Sequence, residues 1–230
     1  MSVATLPWVD IVAVIWFIAI WIGYTLFAKQ RAREVSCLSF ELRRKRTAWM
    51  QHMLLRDNRM ADVGLISALE RNVSFFASSS MLILAGLLTA IASSDKIAEV
   101  LQQVMPWMDH ADGLLQVKML CLALIYIFTF FQFTWSLRQY GFGGVLIGAA
   151  PDGRQLSETE LAQYANRTAK VIDQAAHSFN YGLRAIYFSL ATLAWFISAW
   201  LFIVATVVVM LVMKHREFHS KALKALQDVE

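Results

Sequence analysis

Four stretches of this chain are each long and apolar enough to cross a bilayer: Trp8 to Ala28, Val73 to Ser93, Leu114 to Leu137 and Ala185 to Met213. A hydrocarbon core about 30 Å thick needs ~20 mostly apolar residues per helix, because lipid offers the backbone no partners and a helix satisfies its own. An all-α fold is expected: a polytopic membrane protein of four transmembrane helices, forming a single membrane domain over residues 1–230. A chain 58% hydrophobic and only 17% charged lies outside the range of soluble globular domains. The first span has no basic leader and no small-residue cleavage site and is longer than a signal core, so it is expected to be retained.

Orientation follows from lysine and arginine, which collect on the cytoplasmic side of membrane proteins. The segment from Lys29 to Arg71 holds ten of them and that from Arg138 to Arg184 five, so both are expected inside. The N-terminus has none, and the loop at about 94–113 sets Lys96 against Asp95, Glu99, Asp109 and Asp112; both are expected outside. The tail after Met213, with Lys214, Arg216, Lys221 and Lys224, would then also lie outside, against the rule.

Neither basic segment reads as a linker. Residues 39–70 carry Trp49, Met53, Met60 and Val63 at helical intervals, with Ser39 and Asp62 as N-cap candidates. Residues 157–183 begin after the turn signal "PDG", and Ser157 with Glu160 matches a capping box. Both are predicted to be helical extensions below the membrane. "GFGGVLIGAAPDG" reads as a flexible re-entry after the third span, and Asp95–Val104 as an interfacial helix stopped by Pro106. Aligning Arg71 with Arg184 also superposes Phe75 on Phe188, Ser78 on Ala191 and Ser79 on Thr192, the pattern of a parallel two-fold repeat. The alternative is coincidence between spans rich in Phe, Ala and Ser.

The polar residues that fall at span ends are the candidate site. "ERNVSFFASSS", "FQFTWSLRQYGFGG" and "HSFNYGLRAIYF" place Arg71, Arg138 and Arg184 at the cytoplasmic face, with Asn72, Asn180 and Tyr181 beside them. Two helix N-termini next to arginines suit an anion: a phospholipid head group, phosphate, carboxylate or halide. Against this stands ordinary snorkelling of arginine to lipid phosphates, or a network that ties helix ends together. Asp10 and Lys118 lie at similar depth near the outer surface and are expected to form an intramembrane ion pair, unless each reaches the interface alone. Ser74, Ser78, Ala85 and Thr89 form a small-residue stripe, and Ser198 belongs to a second; helix packing is their expected role, with pore lining as the alternative.

Other classes find no support. Cys37 and Cys121 make no metal spacing or disulfide framework, and His215 and His219 lack a third ligand, so no metal or cofactor is expected. The net charge of +4 sits beside apolar segments without a nucleic-acid recognition motif. "RRKR" at Arg43–Arg46 would attract anionic lipid heads and is equally a topology signal. No nucleophile, acid or base set appears, and no enzyme is expected.

At "RNVSFFASSSMLILAGL" and "FNYGLRAIYFSLATLAWF" the sequence resembles an uncharacterised membrane-protein family of bacteria and plants, named domain of unknown function five-nine-nine. Arg71, Asn72, Ser78, Asn180, Tyr181, Gly182, Leu183 and Arg184 stand where the recurrent motifs of that family would fall. The resemblance implies a multi-span helical protein of the bacterial inner membrane and supplies no activity. The functional expectation therefore rests on the residues: a homo-oligomeric channel or carrier for a small ion, anions favoured. The alternative is a protein that binds lipid head groups or scaffolds an assembly.

Overall fold

Packing in lipid gains little from the hydrophobic effect, so helices associate where side chains let them fit closely. The structure, a computed structural model, describes residues 8–34, 37–104 and 114–227. Among these, every regular element is helical: α1 (Trp8–Glu34), α2 (Leu38–Leu54), α3 (Met60–Ala92), α4 (Ser94–Val104), α5 (Leu114–Gly148), a 3-10 turn (Gly153–Gln155), α6 (Glu158–Trp195), α7 (Ala199–Phe218) and α8 (Lys221–Gln227). Four of the helical stretches are long and apolar enough to span a membrane: Trp8–Ala28, Met60–Ala92, Leu114–Gly148 and Ala199–Gln227.

The centre is the antiparallel pair α5 and α6. Gly182 lies against Phe133, where a Cβ would come within 2.5 Å of the ring, and a Cβ on Gly143 would meet Ile172 at 3.0 Å. Glycine at these crossings lets the two backbones approach. The glycine run after the third span is thus part of α5, and no re-entry occurs. Buried hydroxyls add polar links along the same seam: Ser136 donates to the Ala175 carbonyl (2.7 Å), Ser178 to Gln139 (2.9 Å) and Ser189 to Tyr126 (3.2 Å). α3 packs antiparallel on the other side of α5, burying Val73, Ala77 and Ser80.

The expected fourth span, 185–213, is not one helix. α6 ends at Trp195, residues 196–198 turn, and α7 returns beside it, with Trp195 stacked on Phe202 at 5.2 Å and Arg216 donating to the Tyr187 hydroxyl. Ser198 turns the corner: its backbone is extended and its hydroxyl accepts the Leu201 N–H at 3.1 Å, which caps α7. Its role is capping, not the helix packing expected of it. α7 runs parallel to α1, since Phe17 meets Phe202 and Phe27 meets Phe218. The tail therefore lies at the same end as α2, and Glu217 accepts from the Ser39 N–H (3.3 Å) and hydroxyl (2.6 Å). The turn at 196–198 thus brings the basic residues of the tail to the same end as those of α2.

At that basic end α2 lies on α6 through Met50, Met53 and Leu54 against Ala165, Ala169 and Ile172. Its N-cap is Cys37, not Ser39, and α3 starts at Met60 with Arg59 as its cap residue, while Asp62 sits inside the first turn. The capping box at Ser157 and Glu160 forms as expected. At the opposite end α4 covers Ser94–Val104, so a helix forms where one was predicted over Asp95–Val104, while Pro106 falls outside the described residues.

Candidate functional site

The three arginines are not gathered. Phe76 and Phe133 face each other, and Ile66 lies beside Gly144, so Arg71 is level with Arg138. Gly182 on Phe133 places Arg184 about seven residues nearer the far end, roughly 10 Å at 1.5 Å per residue. Arg71 and Asn72 are exposed on α3, away from Asn180 and Arg184, so these four make no paired site within the chain. The repeat alignment fares no better in environment: Phe75 is 67% exposed and its aligned partner Phe188 0%. Ser74, Ser78, Ala85 and Thr89 lie on the exposed face of α3, so any helix they pack against belongs to another molecule.

Five cations towards the basic end instead lie over aromatic rings. The Arg184 guanidinium is 5.5 Å from the Tyr24 ring and 5.8 Å from that of Tyr181. Lys214 and Arg31 flank Phe27, both at 5.9 Å, Arg216 covers Tyr187 at 5.4 Å, and Arg138 covers Phe142 at 5.7 Å. Such contacts contribute about 0.5–1 kcal/mol when exposed and about 2 when desolvated, and leave the cation free to attract an anion. Among the described residues Arg184 makes no ion pair and no hydrogen bond; its guanidinium lies on the two ring faces, with the Glu217 carboxylate within electrostatic reach of the same Tyr24.

Above Arg184 a groove opens between α1 and α5. It has a volume of about 480 Å³ and is lined mainly by apolar side chains, including Phe17, Trp21, Leu26, Leu124, Phe128 and Trp195. Arg184, Phe188, Thr192 and Trp195 recur at helical intervals, so the arginine continues the stripe of α6 that floors the groove. At the far end Trp195 donates its indole N–H to Asp10 (2.6 Å), and the Lys118 ammonium lies 5.6 Å from the same ring. Asp10 and Lys118, 6% and 7% exposed, are thus brought to one tryptophan.

Sequence reasoning missed the charged contacts that fasten α2. Asp173, on α6, accepts from Arg43 Nε (3.0 Å) and Arg46 (2.8 Å), and His177 Nδ1 lies 3.4 Å away. Asp62 Oδ1 is shared by the Trp49 indole and Arg56, both at 2.6 Å, while Oδ2 is buried with no partner among the described residues. Arg59 donates to the Ala150 and Pro151 carbonyls, and Arg154 pairs with Asp57. In "RRKR", therefore, Arg43 and Arg46 are tethered to the protein. A detectable signal existed: Asp173 is an acid on the apolar stripe Ala169, Ile172, Ala176, which requires a cationic partner. Cys37 is fully buried, and burial near Glu217 pushes its thiol above the ordinary cysteine range, so it is poorly suited to thiolate chemistry. His215 and His219 stack at 5.9 Å, and among the described residues no three metal-ligating side chains gather.

These helices, their lipid-facing apolar surfaces and their buried α5–α6 seam define an all-helical, multi-pass membrane protein. The chain belongs to the family described as "Protein of unknown function, DUF599", whose model matches residues 12–222. No curated protein and no solved structure matches the chain.

Proposed function

We propose that this is a non-enzymatic protein of the bacterial inner membrane, N-terminus outside and α2 end cytoplasmic, that binds the anionic head group of an inner-leaflet phospholipid. The observation that carries the reading is Arg184, cradled by Tyr24 and Tyr181 and in no ion pair among the described residues. Arg31, Lys214, Arg216 and Arg138 supply further positive charge towards the same end. A phosphate near such a group gains a charge-assisted hydrogen bond where water is scarce.

The ion-conducting reading is second. The spaces between helices are filled by rings such as Phe133, Phe188 and Phe202, which disfavour a polar path through one chain. Conduction would need a lumen between copies, and the outward face of α3, with Arg71, Ser74, Ser78, Ala85 and Thr89, is the exposed surface that offers polar groups for such a homo-oligomer. One experiment separates the two. Protein purified in mild detergent is assayed for retained anionic phospholipid, and in liposomes for anion and cation flux, as wild type, Arg184→Ala and Arg71→Ala. Lipid binding predicts retention lost in Arg184→Ala and kept in Arg71→Ala, with no flux above empty liposomes. Selective flux abolished by Arg71→Ala, with lipid retention unchanged in every variant, sinks the lipid reading.

A further inference from the structure

We infer that the groove between α1 and α5 seats one hydrocarbon tail of an anionic phospholipid, so that the protein holds a whole lipid by head and tail; this rests on the head-group reading above. Four features support it. The groove is lined mainly by apolar side chains, with a volume of about 480 Å³. Along α1 its lining runs from Val14 to Leu26, about 18 Å at 1.5 Å per residue, a little more than half of a ~30 Å hydrocarbon core. That is the depth one acyl chain covers from its head group to just beyond the midplane. Its lower end is at the level of Arg184 and its upper end is closed by Trp195, held by Asp10. An anionic head at Arg184 would therefore direct a tail upward into the groove, where it would meet Trp21, Phe128 and Leu124.

A tail lying loosely on any lipid-facing helix would find no such alignment of charge and channel. α3 shows the contrast, since its exposed residues Phe75, Leu82 and Leu88 line no part of this groove. The tail gains ring contacts on several sides and loses chain freedom, so the site favours a lipid whose head is already fixed.

The test uses full-length protein in phosphatidylcholine vesicles doped with phosphatidylglycerol that carries a photoactivatable group at the end of one acyl chain. Adducts are mapped by peptide mass spectrometry in wild type, Leu124→Trp, Ile18→Trp and Arg184→Gln. Leu124 and Ile18 are both about half exposed on helix surfaces, so bulkier side chains there narrow the groove without entering the core. Leu124→Ala, which widens it, serves as a control for folding. The expected result is adducts concentrated on residues 14–26 and 121–128, reduced about tenfold by either tryptophan and kept in Leu124→Ala, as for the loss of one well-fitted contact surface. Adducts spread over α3 and the other exposed helices in proportion to exposure would overturn the tail site, even if head-group retention survives. Adducts confined to the groove but equal for a phosphatidylcholine probe and unchanged in Arg184→Gln would support the tail site and overturn the head-group reading.

Discussion

Gly182 and Asp173 show how single side chains decide the packing of α6. A methyl on Gly182 would sit 2.5 Å from Phe133, itself wholly buried between α3 and α6, so the ring has little room to move. Gly182→Ala is expected to lower stability in detergent by about 1–3 kcal/mol, the usual cost of overpacking, read as a drop in Tm. Asp173 is different, because its side chain is only 10% exposed while its partners Arg46 and Arg43 are 20% and 53% exposed. Asp173→Ala should therefore cost about 2 kcal/mol, mostly through Arg46, whereas Arg43→Ala should cost less than about 1. A double-mutant cycle between Asp173 and Arg46 checks this, and additive effects would refute the coupling. Glycine in a span reads equally as flexibility or close approach, and while an acid on the apolar stripe of α6 signals that Asp173 needs a cation, nothing in the spacing says which distant arginine supplies it.

Helix ends were read with mixed success, for reasons that lie in their chemistry. The start of α6 was legible because a capping box is local: Ser157 and Glu160 satisfy each other's backbone donors within one turn. Hydrogen bonds from the Ser157 hydroxyl and N–H hold the Glu160 carboxyl below its ordinary range. The contribution of a carboxylate lowered in this way is complete above the ordinary carboxylate range and lost as pH falls through the lower folded value. Hydrogen exchange at the first turn of α6, corrected for intrinsic rates, should accelerate over that acidic window in wild type and lose this pH step in Ser157→Ala. The end of α6 was not legible in the same way. Residues Phe196, Ile197 and Ser198 contain neither Gly nor Pro, and only Ser198 acts as punctuation. The length of 185–213 was the available clue, since a helix of that extent would run about 43 Å, well beyond a ~30 Å core.

For the chain as a whole, the turn at 196–198 changes the side on which the tail emerges. With α7 parallel to α1 and Glu217 bound to Ser39, α8 lies at the α2 end. A reporter fused after Glu230 is therefore expected to read as cytoplasmic whenever one placed between α5 and α6 does; opposite readings would contradict the α6–α7 turn. This arrangement puts Lys214, Arg216, Lys221 and Lys224 with the other basic segments, as the charge rule requires. Helix formation, approximate spans and the basic end were all written in hydropathy, length and charge, because lipid imposes those demands residue by residue. The partners of the arginines, the outward face of α3 and the groove above Arg184 depend on which helices touch. In lipid that choice is made by close fit between surfaces, a property of helices in contact that no single stretch of sequence carries.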